Sequence, residues 1–280
     1  MNEKILDKLP EDLKNKLYEG VIRKLINLPN NVEIDELYNN QRNHFNDNES
    51  SQQSNIDILS DSFTEFKDKE IKVLGIDLPC WIDWSTSKPK LMIIGRDPQR
   101  NAQKQEGLII GSPYSLVSKG GRIAKNNYWN FIKPLIEKHR VYITDIYKLF
   151  ISNPIDKVNK LRGLPIHFEI FKEELQLIKP DTIITIGKDA ADAIKKFIDE
   201  DKNFSKKSIY ENLVYEVFEK KDGVNRKFLI YFIPHISGQV TSGIVTIANL
   251  YKSIGKLNED KDLQFIGEEM IKLKDKLFKQ

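Results

Sequence analysis

Four short apolar runs constrain this chain more than any other feature: "LMIIG" from Leu91, "VYIT" from Val141, "TIITIG" from Thr182 and "FLIYFIP" from Phe228. Each is apolar at consecutive positions and rich in Ile or Val. A strand with one face in water alternates apolar and polar residues. A continuous run is buried on both faces, the condition of a parallel sheet covered by helices. The stretches "NNYWNFIKPLIEKH" and "KDAADAIKKFIDE" between the runs read as crossover helices. The segment "SIYENLVYEVFEKKDGVNRKFLIYF", Ser208 to Phe232, alternates more and contains "KKDG", so it reads as a hairpin feeding the last strand. The expected fold is α/β, with three layers, α/β/α, around a central four-stranded parallel sheet.

The flanks differ. Ile5 to about Leu28 reads as amphipathic helix with a break near Pro10. Between Asn30 and Asn55 lies "NNQRNHFNDNESSQQSN", nearly free of aliphatic residues. Such a stretch buries too little surface to offset its ordering entropy, and it reads as a linker or mobile loop rather than a Gln/Asn-rich interaction segment. Leu263 to Phe278 reads as an amphipathic basic helix. The expected division is a helical and polar N-terminal extension, residues 1–56, and one α/β domain, residues 57–280.

Totals exclude several functions. Lys and Arg number 44 against 41 Asp and Glu, a net charge of +3, so nucleic-acid binding must rest on a local basic face. The single cysteine, Cys80, can build neither a disulfide framework nor an iron–sulfur cluster, and reads as a small packed residue. The first residues, "MNEKILDKLPEDLKNK", carry charges throughout and lack the apolar core of a signal peptide. No apolar run approaches the ~20 residues needed to span a bilayer. A cytoplasmic protein without membrane contact is expected.

In doubly covered parallel sheets, ligands sit beyond the carboxyl ends of the strands. The residues there are Gly95-Arg96-Asp97-Pro98, then Asp145, then Gly187-Lys188, then Pro234-His235-Ile236-Ser237. Taken singly, Asp-Pro is a turn and a histidine after a strand is a satisfied loop residue. Two carboxylates and a histidine on one rim point to catalysis. A nucleotide-dependent α/β enzyme finds no support, since neither a Gly-x-Gly-x-x-Gly nor a Walker loop is present.

These residues resemble the uracil-DNA glycosylase superfamily, whose first motif, a strand followed by Gly-x-Asp-Pro, is matched by Gly95, Asp97 and Pro98. "GLIIGSPYSL" puts Tyr114 in the place of an aromatic that stacks on the flipped base. "VYITDIYKLFISNP" is similar to the strand that ends in a base-reading asparagine, with Asp145 in its place. "TIITIGKDAADAI" matches a strand-Gly-helix unit. "IPHISGQ" keeps His235 and Ser237 of a His-Pro-Ser motif, with Ile236 replacing the proline. The resemblance spans Lys72 to Lys256. It implies a DNA glycosylase without metal or other cofactor, with DNA as partner. Asp97 would stabilise the sugar cation and orient the attacking water, and His235 would donate a hydrogen bond to the leaving base. Tyr114 would offer a π-face to the extruded base. Ser237, Gly238, Gln239, Lys148 and Lys188 would grip the DNA backbone.

Departures from the pattern fall on base recognition. Asparagine offers an acceptor and a donor, which suits uracil, whereas the carboxylate of Asp145 only accepts. Asp and Glu accept from the N4 amine of cytosine. Gln99 stands where the efficient uracil enzymes carry a tyrosine that blocks the base's 5-position. The two together imply a 5-substituted cytosine, such as the glucosylated hydroxymethylcytosine of phage DNA, and hence a resemblance to antiviral glycosylases. Excision of uracil or another damaged base in repair stays open. So does a non-catalytic DNA-binding module, against which the presence of both Asp97 and His235 argues. The loop after His235 places Gln239 and Val240 where some relatives insert a leucine wedge, which implies weaker duplex invasion or a preference for single strands.

Overall fold

All four apolar runs fall in strands, and these four strands lie side by side. They are β3 (Lys90–Gly95), β5 (Arg140–Asp145), β7 (Thr182–Ile186) and β9 (Val224–Ile233). Their pairing is parallel throughout, in the order β5-β3-β7-β9. The computed structural model describes residues 15, 72–77, 79–82, 86–96, 109–111, 113–115, 127–147, 149–152, 165–187, 190, 191, 194, 214–221 and 224–233. The extension over residues 1–56, apart from Asn15, and the helix expected over residues 263–278 lie outside them. Met92, Ile93, Ile94, Val141, Tyr142, Ile143, Ile183 and Ile184 are buried at consecutive positions, as strands covered on both faces require.

The sheet is mixed and six-stranded, which corrects the expectation of four parallel strands. An antiparallel strand flanks the parallel core on each side, giving β2-β5-β3-β7-β9-β8. One is β8 (Val214–Lys221), the first arm of the anticipated hairpin. Its pairing with β9 runs to Lys221↔Val224, leaving only Asp222 and Gly223 between the strands, a two-residue connection suited to Asp-Gly. The other is β2 (Cys80–Ile82), antiparallel to β5. Three residues show no periodicity, so nothing in the pattern announced this strand. Trp81 is the register partner of Tyr142, and their rings stack at 6.2 Å with 9° between planes. Cys80 is a buried cysteine of this strand and forms no disulfide.

A second, three-stranded sheet was not anticipated. Its order is β4-β1-β6, with β1 (Lys72–Asp77) between β4 (Ile109–Gly111) and β6 (Leu149–Ser152). β1 pairs parallel to β4 and antiparallel to β6.

Two long helices cover opposite faces of the larger sheet. Helix α1 (Asn127–Lys138) precedes β5, and α2 (Pro165–Ile178) joins the β5–β6 segment to β7. Tyr142 and Thr144, two residues apart in β5, each bond to Glu174 of α2. Asp145 points to the other side, where α1 supplies Tyr128. That follows from the alternation of side chains along a strand. It also follows from right-handed crossovers that run one way from β3 to β5 and the other way from β5 to β7. The α2 start places Pro165 where its missing N–H costs nothing. At its end, Lys179 takes a left-handed φ of 51° before Pro180, and its N–H donates to the Leu175 carbonyl at 3.0 Å, closing the last turn of the helix. Among the described residues, no helix is long and apolar enough to cross a membrane.

Candidate active site

The parallel strands end on one rim, and the reversal of direction between the connections leaving β3 and β7 makes it a topological switch point. Gly95 and Asp145 form the last rung of the β3–β5 ladder. Pairing continues past the strands: Ile146 N–H donates to the Gly95 carbonyl at 3.1 Å, and Tyr147 N–H to the Arg96 carbonyl at 2.9 Å. The backbone entering Asp97 is therefore fixed to the backbone leaving Asp145. Gly187, the residue after β7, has φ 91°, a conformation that favours glycine, and its carbonyl accepts from Ala191 N–H as the next helix begins.

Gly95 has no room for a side chain. A β-carbon built on it would lie 2.8 Å from the Tyr114 hydroxyl, and closer still to Asp145 Oδ1. A strand end and a turn thus converge over one glycine. Asp145 is only 3% exposed. Tyr114 lies in the turn Pro113–Ser115 with φ 57° and ψ 18°, a left-handed conformation that costs a non-glycine residue about 1–2 kcal/mol. Its ring is held by stacking on Tyr128, with centroids 4.4 Å apart and planes at 22°. The residue is half-buried, but its hydroxyl oxygen is fully buried and has no hydrogen-bond partner.

The electrostatics keep both phenols protonated. Burial pushes the Tyr114 pKa well above its ordinary value, and the charges of Asp145 and then Tyr128 add to the shift. Tyr128 is raised too, by burial first and by Asp145 second. On the opposite face, Glu174 Oε1 accepts from Tyr142 Oη and from Thr144 Oγ1, each at 2.8 Å. These bonds tie the last turn of sheet before Asp145 to α2, so the carboxylate stands on a braced strand end.

Of the expected site residues, Tyr114 and Asp145 are described, and they meet. Asp97, Gln99, Lys148, Lys188, His235, Ser237, Gly238 and Gln239 lie outside the described residues. Their chain neighbours are placed: Arg96 after β3, Tyr147 after β5, Gly187 after β7 and Ile233 at the end of β9. Sequence reasoning missed Tyr128, which passed as one more aromatic of a crossover helix. The signal was its place in the first turn of α1, shortly after the Tyr114 loop. Among the described residues, no group of three or more His, Cys, Asp or Glu side chains is arranged to hold a metal ion.

No curated protein matches the chain. A family model does, over residues 82–244, more than half of the 280 residues and within the span of the motif resemblance. The matched segment contains the parallel core, the Gly95 rim, Tyr114 and Asp145, and with it the chain belongs to the uracil DNA glycosylase superfamily, whose members are DNA glycosylases.

Proposed function

We propose that this protein flips a modified base out of DNA and hydrolyses its N-glycosidic bond, and that the base is a 5-substituted cytosine of the glucosylated hydroxymethylcytosine kind, in cytoplasmic defence against phage DNA. The observation that carries the substrate reading is the buried carboxylate of Asp145 at the end of β5. Opposite uracil O4 a carboxylate meets a second acceptor. Opposite cytosine N4 it meets a donor. Unmodified cytosine is excluded as a target on biological grounds, because its excision would destroy the host genome. A 5-substituent supplies the distinction, and Gln99 in place of a blocking tyrosine is consistent with room for it.

In this reading the C1′–N1 bond breaks with positive charge developing on the sugar and negative charge on the base. Asp97 stabilises the sugar cation and orients water, whose oxygen bonds to C1′ and whose proton ends on the departing base or on solvent. His235 donates to base O2 as charge gathers there. Groups matched to charge that exists only in the transition state raise turnover rather than ground-state affinity. Lys148, Lys188, Ser237, Gly238 and Gln239 hold the backbone, Lys148 following the Asp145 segment and Lys188 following Gly187.

The test is excision from otherwise identical oligonucleotides carrying uracil, cytosine, 5-hydroxymethylcytosine or its glucosylated form, read as alkali-labile abasic sites. Cleavage confined to substituted cytosine supports the reading. Preference for uracil replaces it with base-excision repair, and abasic sites from none of them leave a DNA-binding module.

A further inference from the structure

Tyr114 occupies the place of an aromatic expected to stack on the extruded base. Its surroundings suit a different task. One side of the ring is stacked on Tyr128, and the hydroxyl is the part of the residue buried deepest, over Gly95 and beside the Asp145 carboxylate. A buried hydroxyl without a hydrogen-bond partner is costly, and native structures rarely keep one without a use. Phenylalanine would supply the same stacking ring without that cost. The turn also holds Tyr114 at a left-handed φ, so its aim over Gly95 is maintained against backbone strain.

We propose that Tyr114 determines specificity through its hydroxyl, which donates a hydrogen bond to ring N3 of the base whose exocyclic amine faces Asp145. The inference rests on reading this site as a base pocket. The chemistry is an adjacent donor and acceptor. Asp145 accepts from N4, and Tyr114 donates to the neighbouring N3, which in a neutral cytosine is an acceptor. Uracil in the same pose sets O4 against the carboxylate, acceptor against acceptor, and its N3–H meets the hydroxyl only if the phenol gives up its donor role and accepts instead. The raised pKa of Tyr114 keeps the donor proton in place across the physiological range. Tyr128 acts as a positioning residue, its ring fixing the plane of Tyr114.

The test is Tyr114→Phe, which keeps the ring and its stack and removes only the hydroxyl. Single-turnover excision is measured on two oligonucleotides that differ only in 5-hydroxymethylcytosine or uracil. Binding is measured in parallel on the same oligonucleotides with a hydrolysis-resistant 2′-fluoro sugar at the target position, and folding is checked by thermal unfolding. The ratio of substituted cytosine to uracil, in rate or in affinity, is expected to fall roughly 10-fold. An unchanged ratio with unchanged rates would mean that the ring acts by stacking alone, and equal losses on both bases would mean a structural role; either overturns the inference while the glycosylase reading stands. If the wild-type chain neither cleaves nor selectively binds any target base, the function reading itself fails and takes the inference with it.

Discussion

Gly95 and Asp145 are register partners on the last rung of the β3–β5 ladder, and the carboxylate of Asp145 fills the space that a side chain on Gly95 would need. The glycine of the Gly-x-Asp-Pro motif therefore serves more than the turn that follows it. It lets a carboxylate and a phenol from two other segments close over the strand end.

Gly95→Ala tests that packing directly. The added methyl must displace Asp145 or Tyr114, and overpacking of this kind costs about 1–3 kcal/mol. A lower midpoint in urea is expected together with at least a ~10-fold loss of excision. Normal activity in the alanine variant would show that the three residues do not share the pocket.

Asp145→Asn restores an amide donor beside the base. Activity on a 4-amino base is expected to fall and activity on uracil to rise, moving their ratio by ~10-fold or more at ~1–3 kcal/mol per misread contact. Single-turnover rates on matched oligonucleotides decide it. If the wild type prefers uracil and the substitution abolishes that preference, the repair reading stands instead.

Asp97→Asn and His235→Ala should each lower excision by at least ~100-fold while DNA binding persists, since both groups are assigned to transition-state charge. Near-normal single-turnover rates in the Asp97 variant would return "GRDPQR" to the status of an ordinary turn.

Glu174 is a stability residue on the far face of β5. Glu174→Ala removes the acceptor that the Tyr142 and Thr144 hydroxyls share, and the loss of these buried bonds is expected to cost about 1–3 kcal/mol. Glu174→Gln keeps an acceptor oxygen and should cost less. Urea unfolding of both variants gives the comparison, and an alanine variant as stable as the glutamine one would remove the assignment.

Tyr114 and Tyr128 predict an alkaline limit. Their pKa values are raised in the folded state, so the unfolded chain loses these protons first as pH rises. Their contribution to stability is complete below pH ~10 and declines above it, as the unfolded state comes to bind fewer protons than the folded one. Thermal midpoints measured from pH 8 upward should fall beyond that point, and Tyr114→Phe should make the decline shallower.

The parallel core was legible because double burial leaves a plain mark: "LMIIG", "VYIT" and "TIITIG" have no polar face to present. Asp145 was legible for a related reason, since the last residue of such a run must fall on the rim. The edge strand Cys80–Ile82 and the strand Ile109–Gly111 were not, because three residues carry no period. The Tyr114–Tyr128 stack was hidden more deeply. It depends on a left-handed turn at a tyrosine, a conformation that residue type argues against, and only the surrounding structure can impose it.

The small sheet has a consequence for where the working unit begins. β4 leads into the Tyr114 turn and β6 follows the Asp145 segment, and both pair with β1. β1 thus ties the strand that leads into the Tyr114 turn to the strand that follows the Asp145 segment. It occupies Lys72–Asp77, upstream of the segment that the family model matches, which starts at residue 82. A protein trimmed to the family boundaries would keep the groups that meet over Gly95 and lose the strand that holds their loops in register. The smallest piece able to present this pocket is therefore longer than the piece by which its kinship is recognised.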